Sequence, residues 1–256
     1  MIVSANARVS PGAIVHEDAR LAENVEIGPF SIVHAGVDIG AGSRIDAYCE
    51  LGVPSPLACG ATLKIGAGST IRSHSVFYAG SQFGDELETG HHVTVREHTQ
   101  AGPGLRLGTL ADVQGDCTFG EYVRLHSGVF VAKGSRIGHF VWLMPYVMLT
   151  NDPTPPSNVR IGCVIDDYAV VAARAVIMPG VRIGTHALVA AGACVTHDVA
   201  EGMLVAGVPA RLIGRADRVR LRDAPDHAAY PWTNHFTRGY PAEARSRWPH
   251  PPQREY

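Results

Sequence analysis

Val9 to Leu51 reads VSPGAIVHEDARLAENVEIGPFSIVHAGVDIGAGSRIDAYCEL, and every sixth residue of it is a large aliphatic: Val9, Val15, Leu21, Ile27, Val33, Ile39, Ile45 and Leu51. The register restarts at Ile65 and runs through Ile71, Phe77, Phe83, Thr89, Val95, Ala101, Leu107, Val113, Phe119, Leu125, Val131, Ile137, Leu143 and Leu149, then returns from Ile165 to Val195. A period of 3.6 drifts out of step with six within about two turns, so no amphipathic helix writes this pattern. Four residues after each aliphatic sits a small or β-branched side chain, as in Ala13, Ala19, Val25, Ser31, Val37, Ser43 and Cys49, and again in Ala169, Ala175, Val181, Ala187 and Ala193. Glycine often follows the aliphatic directly, as in Ile27-Gly28 and Ile65-Gly66, which predicts a bend there. Short strands separated by bends put both recurrent positions inside a parallel β-helix, whose coils are stable only against neighbours. The fold class expected is all-β, a solenoid of hexapeptide repeats, with a short C-terminal helix and an extended tail.

The chain has 256 residues, of which 46% are hydrophobic, and a net charge of −2, so it can bury a large core and lacks the basic surface of a nucleic-acid binder. Neither a transmembrane-length apolar run nor a signal peptide is read, and the expected location is cytoplasmic, with no membrane partner. Five cysteines without a CxxC pair argue against disulfides and zinc. Cys49 and Cys117 fall at small inward positions, whereas Cys59, Cys163 and Cys194 are assigned to a loop or to hexad corners.

Two interruptions break the register. Residues 52–64 carry Pro54 and Pro56, and residues 150–160 contain Thr150-Asn151-Asp152-Pro153-Thr154-Pro155-Pro156-Ser157, whose prolines stiffen a loop able to present Asn151 and Asp152. The same two residues are also ordinary turn formers. The repeat ends near Val205, which divides the chain into a β-helix over 1–205 and a C-terminal part over 206–256. Within the latter, Leu212 to Arg222 is amphipathic and compatible with a short helix, and the Pro, Arg and aromatic tail is expected to pack on the coil or on a neighbouring subunit.

With a hexapeptide repeat closing in Val205-Ala206-Gly207-Val208-Pro209-Ala210-Arg211, residues 7 to 215 resemble the left-handed β-helix acyltransferases. The resemblance implies the left-handed sense, which general crossover rules do not favour. It also implies a homotrimer with active sites between adjacent prisms. Asn24 to Phe30 and Asp116-Cys117-Thr118-Phe119-Gly120 look like the acyl-carrier-dependent enzymes of lipid A biosynthesis, but the position of that branch's catalytic histidine is Gly115 here. Tyr122-Val123-Arg124-Leu125-His126-Ser127, Phe140 to Pro145 and the loop at 150–157 are more similar to N-acetyltransferases of nucleotide-linked 3-amino-3,6-dideoxyhexoses.

That likeness implies acetyl-CoA as acyl donor, no metal, and a dTDP-type aminosugar as acceptor. The alternatives are UDP- or GDP-linked aminosugars, O-acylation, or an acyl-carrier donor. His126, Asn151 and Asp152 are the catalytic candidates, with Asp152 expected to matter more than His126. Arg72 and Arg96 are candidates for the diphosphate, Tyr78 for stacking on base or ribose, and Glu97 for sugar hydroxyls, with His91 in the same substrate-binding set. Ala173, Arg174 and Ala191 offer a path for the pantetheine arm, and Arg211 a partner for a coenzyme A phosphate. Trp142 is assigned to a subunit contact. The 13 histidines raise a gamma-class carbonic anhydrase, but the spacing of His91, His92 and His98 is wrong for its zinc ligands. A non-catalytic scaffold would not need the proline loop or the terminal VPAR.

Overall fold

The computed structural model describes residues 2–249, and the predicted tail's last positions, 250–256, lie outside the described residues. The chain winds into a three-sided prism. Its first face is a 10-stranded sheet from Ile2–Val3 to Arg182–Ile183, its second a 12-stranded sheet from Arg8–Val9 to Ala210–Arg215, and its third a 10-stranded sheet from Ile14–Val15 to Cys194–Val195. Pairing within each face is parallel, for instance Arg8 with Glu26 and Ile32 with Glu50, except for an antiparallel hairpin at the C-terminal end of the second face. The topology matches the expected solenoid.

Most two-residue strands end on the sixth-position aliphatic, which points inward. Leu21, Ile27, Val33, Ile39, Ile45, Leu51, Ile71 and Phe77 are all buried, and so are the small residues four positions later, Ala19, Val25, Val37 and Cys49 among them. One continuous core cluster follows the axis of the prism. Each Val, Leu, Ile or Phe side chain in it contributes about 1.5–3 kcal/mol of apolar burial. Where the small inward residue is Ser31, its hydroxyl bonds the next coil: Ser31 Oγ donates to Asp46 O at 2.8 Å and accepts from Cys49 N at 3.0 Å.

The bend is not where the glycine pattern placed it. Positive φ occurs three residues after the aliphatic, at Asn24, Phe30, Tyr48, His74, His92, Tyr122 and Phe140, among others. Gly28 instead lies flat against the neighbouring coil, where a Cβ would come 2.6 Å from the Asp46 carbonyl carbon. Many of the true corner residues are aromatic, and they stack along the corners. Phe30, Tyr48, His74 and His92 form one ladder with centroids 4.7 to 5.2 Å apart; Tyr122, Phe140, Tyr168 and His186 form another.

Both interruptions leave the prism at the corner between the third and first faces. The earlier one holds a 3-10 turn, Pro56–Ala58, capped by Ser55. Cys163, assigned to a corner, is instead fully buried at a small inward position, with its thiol held by Thr150 O at 3.2 Å.

Beyond Val205 the amphipathic stretch is not helical. Met203–Gly207 and Ala210–Arg215 form the terminal hairpin, followed by a 3-10 turn at Ala216–Arg218, because the open edge of the second face offers hydrogen bonds that an isolated helix lacks. The α-helix, Ala242–Arg245, sits in the tail. That tail folds back onto the prism: Trp232, Tyr240, Ala244 and Trp248 pack on Phe140, Val170 and Leu188. Trp142 therefore lies against this chain's own Trp232 and Phe236, where a subunit contact was expected. Among the described residues no helix is long and apolar enough to cross a membrane.

Candidate active site

The predicted site residues fall on two lines of the prism. Tyr78, Arg96, Glu97, Asn151 and Asp152 lie at the corner between the third and first faces. Arg72, His91, His126, Ala173, Arg174 and Ala191 follow strands of the second face and turn its corner toward the third, with Arg211 in the hairpin that ends this face.

On the first line Asp152 is committed to its own loop. Its Oδ1 accepts from Thr154 N at 3.2 Å and Ser157 Oγ at 2.7 Å, and its Oδ2 from Ser157 N and Arg160 Nη1, both at 2.9 Å. A carboxylate offers about four such sites, so none remains for a substrate amine in this arrangement. The Ser157 bonds, with Arg160 adding charge, hold its pKa below the usual carboxylate range. Asn151 Nδ2 donates to Lys133 O at 3.1 Å, and Lys133 pairs with Asp116 at 2.8 Å. Glu97 is only 4% exposed and takes a bidentate grip from Arg96, at 3.0 and 3.2 Å. Burial alone would raise its pKa, but Arg96 and the Ser55 hydroxyl prevail and lower it to about 2. Arg96 also lies 4.8 Å from the Tyr78 ring. Glu97 thus braces the first loop where a sugar contact was expected.

Gly115 belongs to the same corner. Its φ is +89°, and a Cβ would stand 2.7 Å from Glu97 O and 3.2 Å from Arg96 Cβ. The Glu97 backbone and the Arg96 Cβ occupy the space that a histidine at 115 would need.

The second line is open. A groove of about 400 Å³ on the second face is lined by Arg72, Arg106, Arg124 and His126, with Glu88 as the carboxylate and Phe236 and Arg238 of the tail forming one wall. Arg72 and Arg106 both reach Glu88, at 3.2 and 3.3 Å. The pKa of His126 is lowered, by burial first and by the Arg124 charge second, so the imidazole is neutral at pH 7 and able to accept a proton. Its ring is 5.6 Å from that of Trp142. His91 bonds Ser73 Oγ at 2.8 Å, at the rim. Toward the C-terminal end, Gly192 N donates to Ala173 O at 2.9 Å, which puts the Ala173-Arg174 and Ala191-Gly192 corners on successive coils. Arg211 is exposed on the hairpin and bonds Ala210 O. Among the described residues no group of three or more His, Cys, Asp or Glu is gathered for a metal.

Sequence reasoning missed Arg106, Arg124, Phe236 and Arg238. The signal for the first two was available, because residues 18 apart are cross-strand neighbours and 106 and 124 are both arginine. For the tail residues there was none, since docking of the tail does not follow the repeat.

No protein-family model matches the chain. A 66-residue stretch, 26% of this chain and 27% of the relative, is 48% identical to 2,3,4,5-tetrahydropyridine-2,6-dicarboxylate N-acetyltransferase of Staphylococcus aureus. The match thus spans about a quarter of the length of the curated relatives. Among solved structures, an Arabidopsis UDP-N-acetylglucosamine acyltransferase superposes with a TM-score of 0.60 at 18% identity, over 84% of this chain and 74% of that one. An N-acyltransferase from Bacillus cereus, in complex with dTDP-4-amino-4,6-dideoxyglucose and coenzyme A, gives 0.36 at 12% identity, over 69% and 82%. The architecture is shared: the chain has the left-handed β-helix fold of that Arabidopsis acyltransferase.

Proposed function

We propose that the protein is an acyl-CoA-dependent sugar N-acyltransferase that moves the acetyl group of acetyl-CoA onto the 3-amino group of a nucleotide-linked, dTDP-type 3-amino-3,6-dideoxyhexose. The observation that carries this reading is the place of His126: a neutral imidazole in an arginine-lined groove, on the line that continues to Ala173 and Ala191. The acceptor lies in the groove and the donor follows the small residues toward Arg211. The amine nitrogen attacks the thioester carbonyl, the C–S bond breaks as the tetrahedral intermediate collapses, and His126 takes the amine proton and passes it to the departing thiolate. Asp152 acts by holding the proline loop rather than by receiving that proton. In a homotrimer the corner bearing this loop closes the groove of a neighbouring protomer, and the particle in solution has three times the 27.3 kDa chain mass.

Mass spectrometry of products from acetyl-CoA and a panel of nucleotide aminosugars tests the reading. Acetylation of a 3-amino sugar is the expected result, and no product with any 3-amino sugar overturns it.

A further inference from the structure

Outward residues on the second face alternate in charge along the stack. Arg8 pairs with Glu26, Glu26 with Arg44, and, past Thr70, Glu88 with Arg106. The next step breaks the rule, since Arg106 stands beside Arg124. Like charges at directly opposed positions destabilise a sheet unless something else neutralises them.

The tail tightens this arrangement. Arg124 Nη2 donates to Arg238 O at 3.2 Å and Gly239 O at 2.7 Å, and its guanidinium lies 4.1 Å from the Tyr240 ring and 4.8 Å from that of Trp142. Gly239, at φ +78°, permits this approach, because a Cβ there would come 2.7 Å from Arg124 Nη2. Among the described residues neither Arg124 nor Arg238 forms an ion pair with a carboxylate, and Glu88 is shared by Arg72 and Arg106. Arg124 is half-buried and fixed, so its charge is presented without the entropy cost of ordering a free side chain. Neighbouring coils are about 4.8 Å apart, a spacing suited to two linked phosphates.

We propose that this groove binds a diphosphate, with Arg106 and Arg124 each taking one phosphate and the tail supplying Arg238 and Phe236 as the outer wall. Two sources share that chemistry: the nucleoside diphosphate of a sugar nucleotide, and the diphosphate of coenzyme A. The choice between them rests on the acyltransferase reading; the site itself does not.

Calorimetric titration of the full chain with inorganic pyrophosphate, dTDP, UDP and coenzyme A tests the proposal. Pyrophosphate is expected to bind, with tighter binding of the nucleoside diphosphates identifying the acceptor as the source and tighter binding of coenzyme A identifying the donor. Arg106→Gln and Arg238→Gln should each weaken binding about tenfold without moving the unfolding midpoint. The second lies outside the prism, so the test survives if the first fails to fold. Absence of binding by all four compounds, or equal affinity in folded variants, overturns the site. Diphosphate binding without acyl transfer would leave the groove standing and remove the proposed function.

Discussion

At the scale of single residues, Gly115 and His126 show opposite kinds of constraint. Gly115 is held by packing: its positive φ and the closeness of Glu97 O leave no room for a side chain. Gly115→Ala is expected to cost about 1–3 kcal/mol through backbone strain and displacement of the Glu97 main chain, visible as a lowered urea midpoint. A variant as stable as the parent would show that the corner relaxes freely. His126 is held by electrostatics. Its folded pKa is depressed by burial and Arg124, so the neutral form is the one the fold favours. Protonation becomes unfavourable to the folded groove as pH falls below the unfolded value of about 6.5. The acid limb of kcat/KM should therefore lie below pH 6.5, and His126→Ala should abolish that limb along with most of the turnover. An unchanged pH profile in the variant would remove His126 from proton transfer.

At the scale of elements, the tail is a separate layer on the second face. Trp232 is 6% exposed, stacks on Tyr240 at 5.4 Å, and donates from Nε1 to Tyr168 O at 3.3 Å. Trp232→Ala should cost about 3–5 kcal/mol, felt mainly by the tail, since the prism's core is continuous without it. Limited proteolysis should then cut after Arg215 while the coils remain resistant; loss of the whole fold would mean that the tail is integral to the prism. This layering also marks what was legible in the chain. The ladder of Ile27, Ile45 and Ile71 was readable because burial in a solenoid repeats with the sequence. The bends were misplaced because glycine after the aliphatic serves close coil contact at Gly28, while aromatic residues such as Tyr48 tolerate positive φ by stacking on their neighbours. Asn151 and Asp152 lie between strands, and their hydrogen bonds are tertiary facts without a period. The groove was half-readable, through Arg72 and His126, because its other wall comes from a segment more than a hundred residues downstream.

At the scale of the molecule, the solenoid separates stability from function along its axis. Each coil touches mainly the one before and the one after, so stability is close to a sum over coils and their interfaces. Partners in a face are 18 residues apart outside the loops, as with Ile2 and Arg20. Deleting residues 28–45 removes one such coil and joins Ile27 to Asp46 in register; the strand it takes from the second face, Arg44–Ile45, is three strands from that of Arg106. That variant should keep its β-sheet circular dichroism, cooperative unfolding and pyrophosphate binding, with only a modest loss of stability. Deleting residues 109–126 also removes one coil in register, joining Gly108 to Ser127, but takes Arg124 and His126 with it. The second variant should fold and yet lose both diphosphate binding and acyl transfer, since the tail loses its anchor on Arg124. Circular dichroism and the titration separate the two effects. If the first deletion unfolds the protein, stacking is not additive along this prism. If the second retains binding, the anion site lies elsewhere on the molecule.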